Sequence, residues 1–165
     1  MRTAHLLIAT LTVTLSLCLL GCGKVTVVNT NGPSDPTPAS KLNIQQQITG
    51  QSMALKLPNV FLINTEAHLN GTRSNKLKSL DVDFNKQSVV LIALGEQKTG
   101  GYWIKITGIE ASDNGDAFVQ AIVNKPSKTD TVTQALTYPF AAIVTGKITG
   151  KIIPEIESVQ GQPIN

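Results

Sequence analysis

The feature that most constrains this chain is Val89-Val90-Leu91-Ile92-Ala93-Leu94, six apolar residues, mostly β-favouring, with no polar interruption. A strand with one wet face alternates apolar with polar, so an unbroken run of this length suits a strand covered on both faces. After a loop, Tyr102, Ile104 and Ile106 alternate with Trp103, Lys105 and Thr107, the two-residue period of a strand with one buried face. The two runs, separated by a loop that ends in Gly100-Gly101, read as a hairpin. Ile109 breaks the period set by Ile104 and Ile106, and a bulge near Gly108 would return all three to the core side.

The rest of the chain is a series of short β-prone runs with one weak helical segment. Asp113-Asn114-Gly115 is the strongest turn signal, leading into a strand over residues 117–123. Residues 60–63 form a strand introduced by Pro58, and residues 140–145 and 147–153 a last pair turning at Gly146. Around Gln45-Gln46-Gln47, flanked by Ile44 and Ile48, periodicity leaves strand and short helix both open. Asn64 or Thr65 caps a short helix over residues 66–69, ended by Asn70-Gly71. Leu77 and Leu80 sit in a polar stretch that suits a loop with a helical turn. The expected fold is α+β: a mostly antiparallel sheet of five or six strands, with one or two short helices between Asn64 and Leu80.

The start of the chain reads as an export signal. Arg2 precedes an apolar stretch over residues 6–20, short for a membrane span, which takes about 20 residues. It ends in Leu19-Leu20-Gly21-Cys22, which resembles the lipobox of bacterial lipoproteins and implies cleavage after Gly21 and a diacylglycerol on Cys22. Several acyl chains anchor stably where one does so only marginally. Gly23, rather than Asp, after the cysteine implies sorting to an outer membrane, with the chain facing the periplasm. The expected division is a signal peptide over 1–21, an acylated tether over 22–41, a folded domain over 42–153 and a weakly ordered tail over 154–165. Three prolines between Asn29 and Ser40 stiffen the tether, whose reach is about 35 Å.

Removal of residues 1–21 leaves 165 − 21 = 144 residues and lowers the net charge from +3 to +2. Cys18 leaves with the signal, so the folded part has no cysteine for a disulfide, a zinc site or a nucleophile. The 12 lysines are spread along the chain and form no basic stripe for nucleic acid. His68 is the one histidine of the mature chain, Asp81 and Asp83 read as solvated loop positions, and no spacing suits a metal or a phosphate. No cofactor, metal or enzymatic activity is expected.

The pattern Gly95-x-x-x-Thr99-Gly100-Gly101-Tyr102-x-Ile104-x-Ile106 after the apolar run resembles the C-terminal domain of the PrcB family, lipoproteins named for a subunit that stabilises a secreted bacterial protease complex. Gly50-Gln51-Ser52, Pro58 with residues 60–63, and Asp81-Val82-Asp83-Phe84 resemble its upstream blocks; residues 132–140 resemble its closing one. Membership implies a membrane-tethered binding module for an exported protein partner, a protease in the family's own case. Thr99-Gly100-Gly101-Tyr102-Trp103 also resembles the Thr-Gly-Tyr-x-Trp loop of chagasin-type protease inhibitors, from which it departs by its second glycine. A structural lipoprotein of the envelope is a third reading.

Lys98, Thr99, Gly100, Gly101 and Trp103 are the candidate partner-binding residues. Their loop is expected to expose its backbone on a rigid scaffold, with charge, hydrogen bonding and apolar area close together. The same Gly pair serves equally as a plain turn, and Trp103, on the polar side of its strand, either meets a partner or packs against another layer.

Overall fold

The computed structural model describes residues 38–162, Ala54 excepted. The expected signal segment, Cys22 and the expected tether before Pro38 lie outside the described residues. In chain order the elements are β1 (Pro38–Lys41), β2 (Gln46–Gly50), β3 (Asn59–Ile63), α1 (Glu66–Gly71), α2 (Asn75–Lys78), β4 (Gln87–Ala93), β5 (Trp103–Ser112), β6 (Ala117–Lys125), β7 (Phe140–Gly146) and β8 (Ile152–Gln160). Two four-stranded sheets form, ordered β1-β5-β6-β8 and β2-β7-β4-β3.

The sheets stack, and the core between them joins Val90, Ile92, Ala141 and Ile143 of one to Ile104, Ile106, Ile109, Val119, Ala121 and Val123 of the other. The opposite face of the β2-β7-β4-β3 sheet is also covered. There Val89, Leu91, Ala142 and Val144 pack with Met53, Leu69 of α1, and Leu77 and Leu80 around α2. β4 therefore lies between two apolar layers, buried from Ser88 to Ala93, which is why its sequence does not alternate. The outer face of the other sheet carries Trp103, Lys105, Thr107, Gln120 and Ile122, half-buried or exposed.

Mostly β structure with two short helices between Asn64 and Leu80 is as expected, although there are eight strands in two sheets. The bulge is present: the register of β5 against β6 shifts between Ile106 and Gly108, and Ile104, Ile106 and Ile109 are all buried. Asp113-Asn114-Gly115 joins β5 to β6, with Gly115 at φ 86°. Thr65 caps α1 by accepting the His68 N–H at 3.3 Å.

Three expectations are corrected. β4 and β5 lie in different sheets, so residues 94–102 form a crossover between layers and no hairpin. Residues 152–160, expected partly as the end of a two-stranded turn and partly as a loose tail, form one strand parallel to β6. As an edge strand it tolerates Pro154, whose missing N–H costs nothing on the unpaired side. Pro38–Lys41, assigned to the tether for want of apolar side chains, forms β1; its ladder with β5 needs only backbone groups.

Candidate functional site

The crossover over residues 94–102 is held by main-chain and side-chain bonds along its length. Gly95, at φ 73°, passes so close to the 56–58 segment that a Cβ would lie 2.7 Å from the Lys56 carbonyl. The next amide, Glu96 N–H, donates to that carbonyl at 2.9 Å. Gln97 exchanges both backbone bonds with Thr137, at 2.8 and 2.9 Å, and the Glu96 carboxylate accepts the Tyr138 phenol at 2.8 Å. Gly100 N–H donates to the Thr133 carbonyl and the Thr137 hydroxyl to the Thr99 carbonyl, each at 2.8 Å. Asn124, buried, donates its amide to the Gly101 carbonyl at 3.1 Å.

These contacts change the expected picture of the loop. The backbone of Thr99 and Gly100 is engaged by residues 133–137, so it is not the free surface that its composition suggested. Of the Gly pair only Gly101 requires glycine: it sits at φ 84°, and a Cβ would lie 2.8 Å from Val132 Cγ1. At Gly100 an added Cβ meets Thr133 at 3.5 Å, an ordinary contact. Lys98 and Gly101 are exposed, Thr99 and Gly100 half-buried.

Trp103 opens β5 on the outer face of its sheet and is half-buried. Its indole N–H donates to the Gln162 carbonyl at 3.0 Å, and Gln162 N–H donates to Asn124 at 2.8 Å. The chain's last described residue thus covers part of the ring. Trp103 is neither a free indole nor a core residue.

Two residues that sequence reasoning passed over stand beside the loop. Leu57, 78% exposed, follows Lys56, whose carbonyl holds Glu96; Leu136, 58% exposed, precedes Thr137, which brackets Gln97. Large aliphatic side chains at this exposure are few here, and two of the three among the described residues flank one rigid crossover. Their signal in the sequence is faint: a leucine before Pro58 and one before Thr137 look like any strand flank.

A groove of about 780 Å³ opens on the β5 side of the same region, where β2 of one sheet faces β5 of the other. Gln47, Thr49 and Gln51 point into it, as do Lys76, Trp103 and Lys105. Gln47 Nε2 donates to the Ile106 carbonyl at 2.9 Å, and Gln51 Nε2 to the Tyr102 carbonyl at 2.8 Å. Lys76 Nζ donates to the Thr49 carbonyl. Gln47 and Thr49 lie opposite Ile143 and Ala141, on the core-facing side of β2. Polar residues at alternate positions on that side are the sequence signal for an opening in the sandwich.

Among known families the segment that carries this geometry has a counterpart. Residues 88–145 match the model of the PrcB C-terminal family. The PrcB-like span runs from β4 through β7 and so holds the central strands of both sheets, the whole crossover and the 133–139 segment that pins it. The upstream blocks at residues 50–63 and 81–84, read as part of the resemblance, fall outside the match. Neither the curated proteins nor the solved structures contain a match to the chain.

Proposed function

We propose that this PrcB-like protein is a non-enzymatic binding module that stabilises an exported partner, a protease by analogy with the family's name-giving subunit. In this reading acylated Cys22 holds it to the outer membrane, facing the periplasm. The observation that carries the proposal is the placement of exposed Leu57 and Leu136 on either side of the crossover, with Lys98 between the segments that fix it. A rigid loop bonded to its scaffold over most of its length loses little entropy on association, and two aliphatic side chains supply apolar area that water would otherwise solvate. Lys98, Thr99, Gly100, Gly101 and Trp103 belong to this surface: Lys98 as an exposed charge, Gly101 as a point of close approach, Trp103 through its uncovered side. Thr99 and Gly100 act from beneath, holding the loop's shape.

The test is a photo-crosslinking residue at position 98 in intact cells, followed by identification of what is captured. It is paired with a Leu57→Ser, Leu136→Ser double variant. One exported protein should be crosslinked, and the double variant should lose it on copurification while melting at an unchanged temperature. A stable double variant that still copurifies the same partner would remove this surface. For the anchor, mass spectrometry of the native N-terminus should find acylated Cys22, and a Cys22→Ala protein that fractionates unchanged with the membrane would contradict it.

A further inference from the structure

Among the described residues the row of strands outside β5 is only partly filled. β1 pairs with β5 at Glu110, Ala111 and Ser112, and the Leu42 N–H still reaches the Ile109 carbonyl at 2.9 Å. The chain then crosses to β2 in the other sheet. Among the described residues no strand lies beside β5 over residues 102–107. Backbone groups two residues apart on a strand point the same way. The carbonyls of Tyr102 and Ile106 face the open side, since they accept from Gln51 and Gln47. Ile104, midway between them, therefore turns its carbonyl and N–H to that side too.

Two glutamine amides thus stand where the rungs of a ladder would be. An unpaired edge is a template for another strand, and an incoming backbone N–H replaces a side-chain amide donor one for one. The groove over this edge has a defined electrostatic character: Lys76 and Lys105 line it, and no carboxylate does among the described residues.

We infer that the β5 edge over residues 102–106 accepts an extended, acidic segment of a partner polypeptide as an added strand in the row of β1. Main-chain bonds form to Tyr102, Ile104 and Ile106, displacing the Gln47 and Gln51 amides; acidic side chains on the outer face of the added strand lie beside Lys105, and Lys76 adds positive charge across the groove. This rests on the partner-binding reading above and says how part of the partner is held.

The experiment titrates the isotope-labelled full mature chain with a short amidated peptide alternating valine with glutamate. Controls are the same peptide N-methylated at alternate residues, and one with lysine for glutamate. The glutamate peptide should shift the Ile104 and Ile106 amide resonances and give backbone-to-backbone contacts across the β5 edge. N-methylation on the pairing side should weaken binding about tenfold, the loss expected for one or two backbone bonds. The lysine peptide should bind more weakly, and a Gln47→Ala, Gln51→Ala variant, with its edge already vacant, more tightly. Three results overturn the inference. One is equal binding of the N-methylated peptide. Another is an Ile104 amide already protected in the free chain and released when residues 23–37 are deleted, which would make the chain's own N-terminal segment the occupant. The last is concentration-dependent dimerisation that protects the same amides. A partner captured at position 98 together with failure of the peptide test rejects strand addition alone; capture of nothing rejects the reading beneath it.

Discussion

The two sheets of this sandwich are built for different work. The β2-β7-β4-β3 sheet is covered on both faces, by the inter-sheet core and by the layer of α1, α2 and Met53. The β1-β5-β6-β8 sheet packs one face on that core; on the other, Phe118 and Asn124 are buried but Trp103, Lys105, Thr107 and Gln120 are half-buried or exposed. In the first, the central strands β4 and β7 are buried almost throughout and answer to packing, while β2 at the edge sends Gln47 and Thr49 into the groove. Among the described residues the second has a partly uncovered face and no strand beside β5 over residues 102–107, and the crossover between the sheets brings the candidate contact residues to the seam. Doubly covered strands fix position, and singly covered ones offer contact.

The largest effect is expected in the doubly covered sheet. Leu91→Ala, in a residue 1% exposed, should cost about 3 to 4 kcal/mol, whereas Thr107→Ala on the free face should stay within about 0.5 kcal/mol. Chemical denaturation of the two variants measures both. Equal losses would mean that the free face is packed against something.

At the seam the two glycines should separate. Gly101→Ala forces a side chain into φ 84° and against Val132, and should destabilise by about 2 kcal/mol. Gly100→Ala, with ordinary contact distances, should be nearly neutral in the same denaturation series. Trp103→Ala should then cost about 1 kcal/mol of stability, chiefly the bond to Gln162, and about 2 kcal/mol of partner binding. Melting temperature and copurification read the two effects separately.

The smallest effect is a titration. The hydrogen bond that Tyr138 donates to the Glu96 carboxylate raises the phenol above its usual value of 10.0, with burial and the nearby charge acting in the same direction. A folded value above the unfolded one means that the contact contributes its full stability below the ordinary phenol range and loses it as pH rises through the folded value. Ultraviolet titration of the phenolate should show the raised transition, and Glu96→Gln should return it toward the ordinary range.

How much of this was legible depended on which physical signal a residue carries. The cover on both faces of β4 and the bulge at Gly108 were readable, because each leaves a mark in apolar periodicity. The partner of β4 was not: an apolar run looks the same whether the next strand lies beside it or in the facing sheet. The nine residues of the crossover, 94–102, were the available warning, since tight hairpins need two to five. β1 and β8 were missed because edge strands are held by backbone bonds, which leave no apolar signature over Pro38–Lys41 and only a weak one around Pro154. Lys98, Gly101 and Trp103 were singled out from composition and lie exposed or half-buried, while the bonds that occupy Thr99 and Gly100 come from residues 133–137, more than thirty positions away. The stretch of β5 with no strand beside it among the described residues depends on where β1 ends, which no local pattern reveals.

Hydrogen exchange on the complex copurified with the proposed partner, compared with the free chain, maps the contact surface itself. New protection is expected over residues 98–106 and around Leu57 and Leu136, with the α1 and α2 side unchanged. Protection confined to α1, α2 and residues 79–86, with the crossover and the β5 edge exchanging as in the free chain, would contradict it.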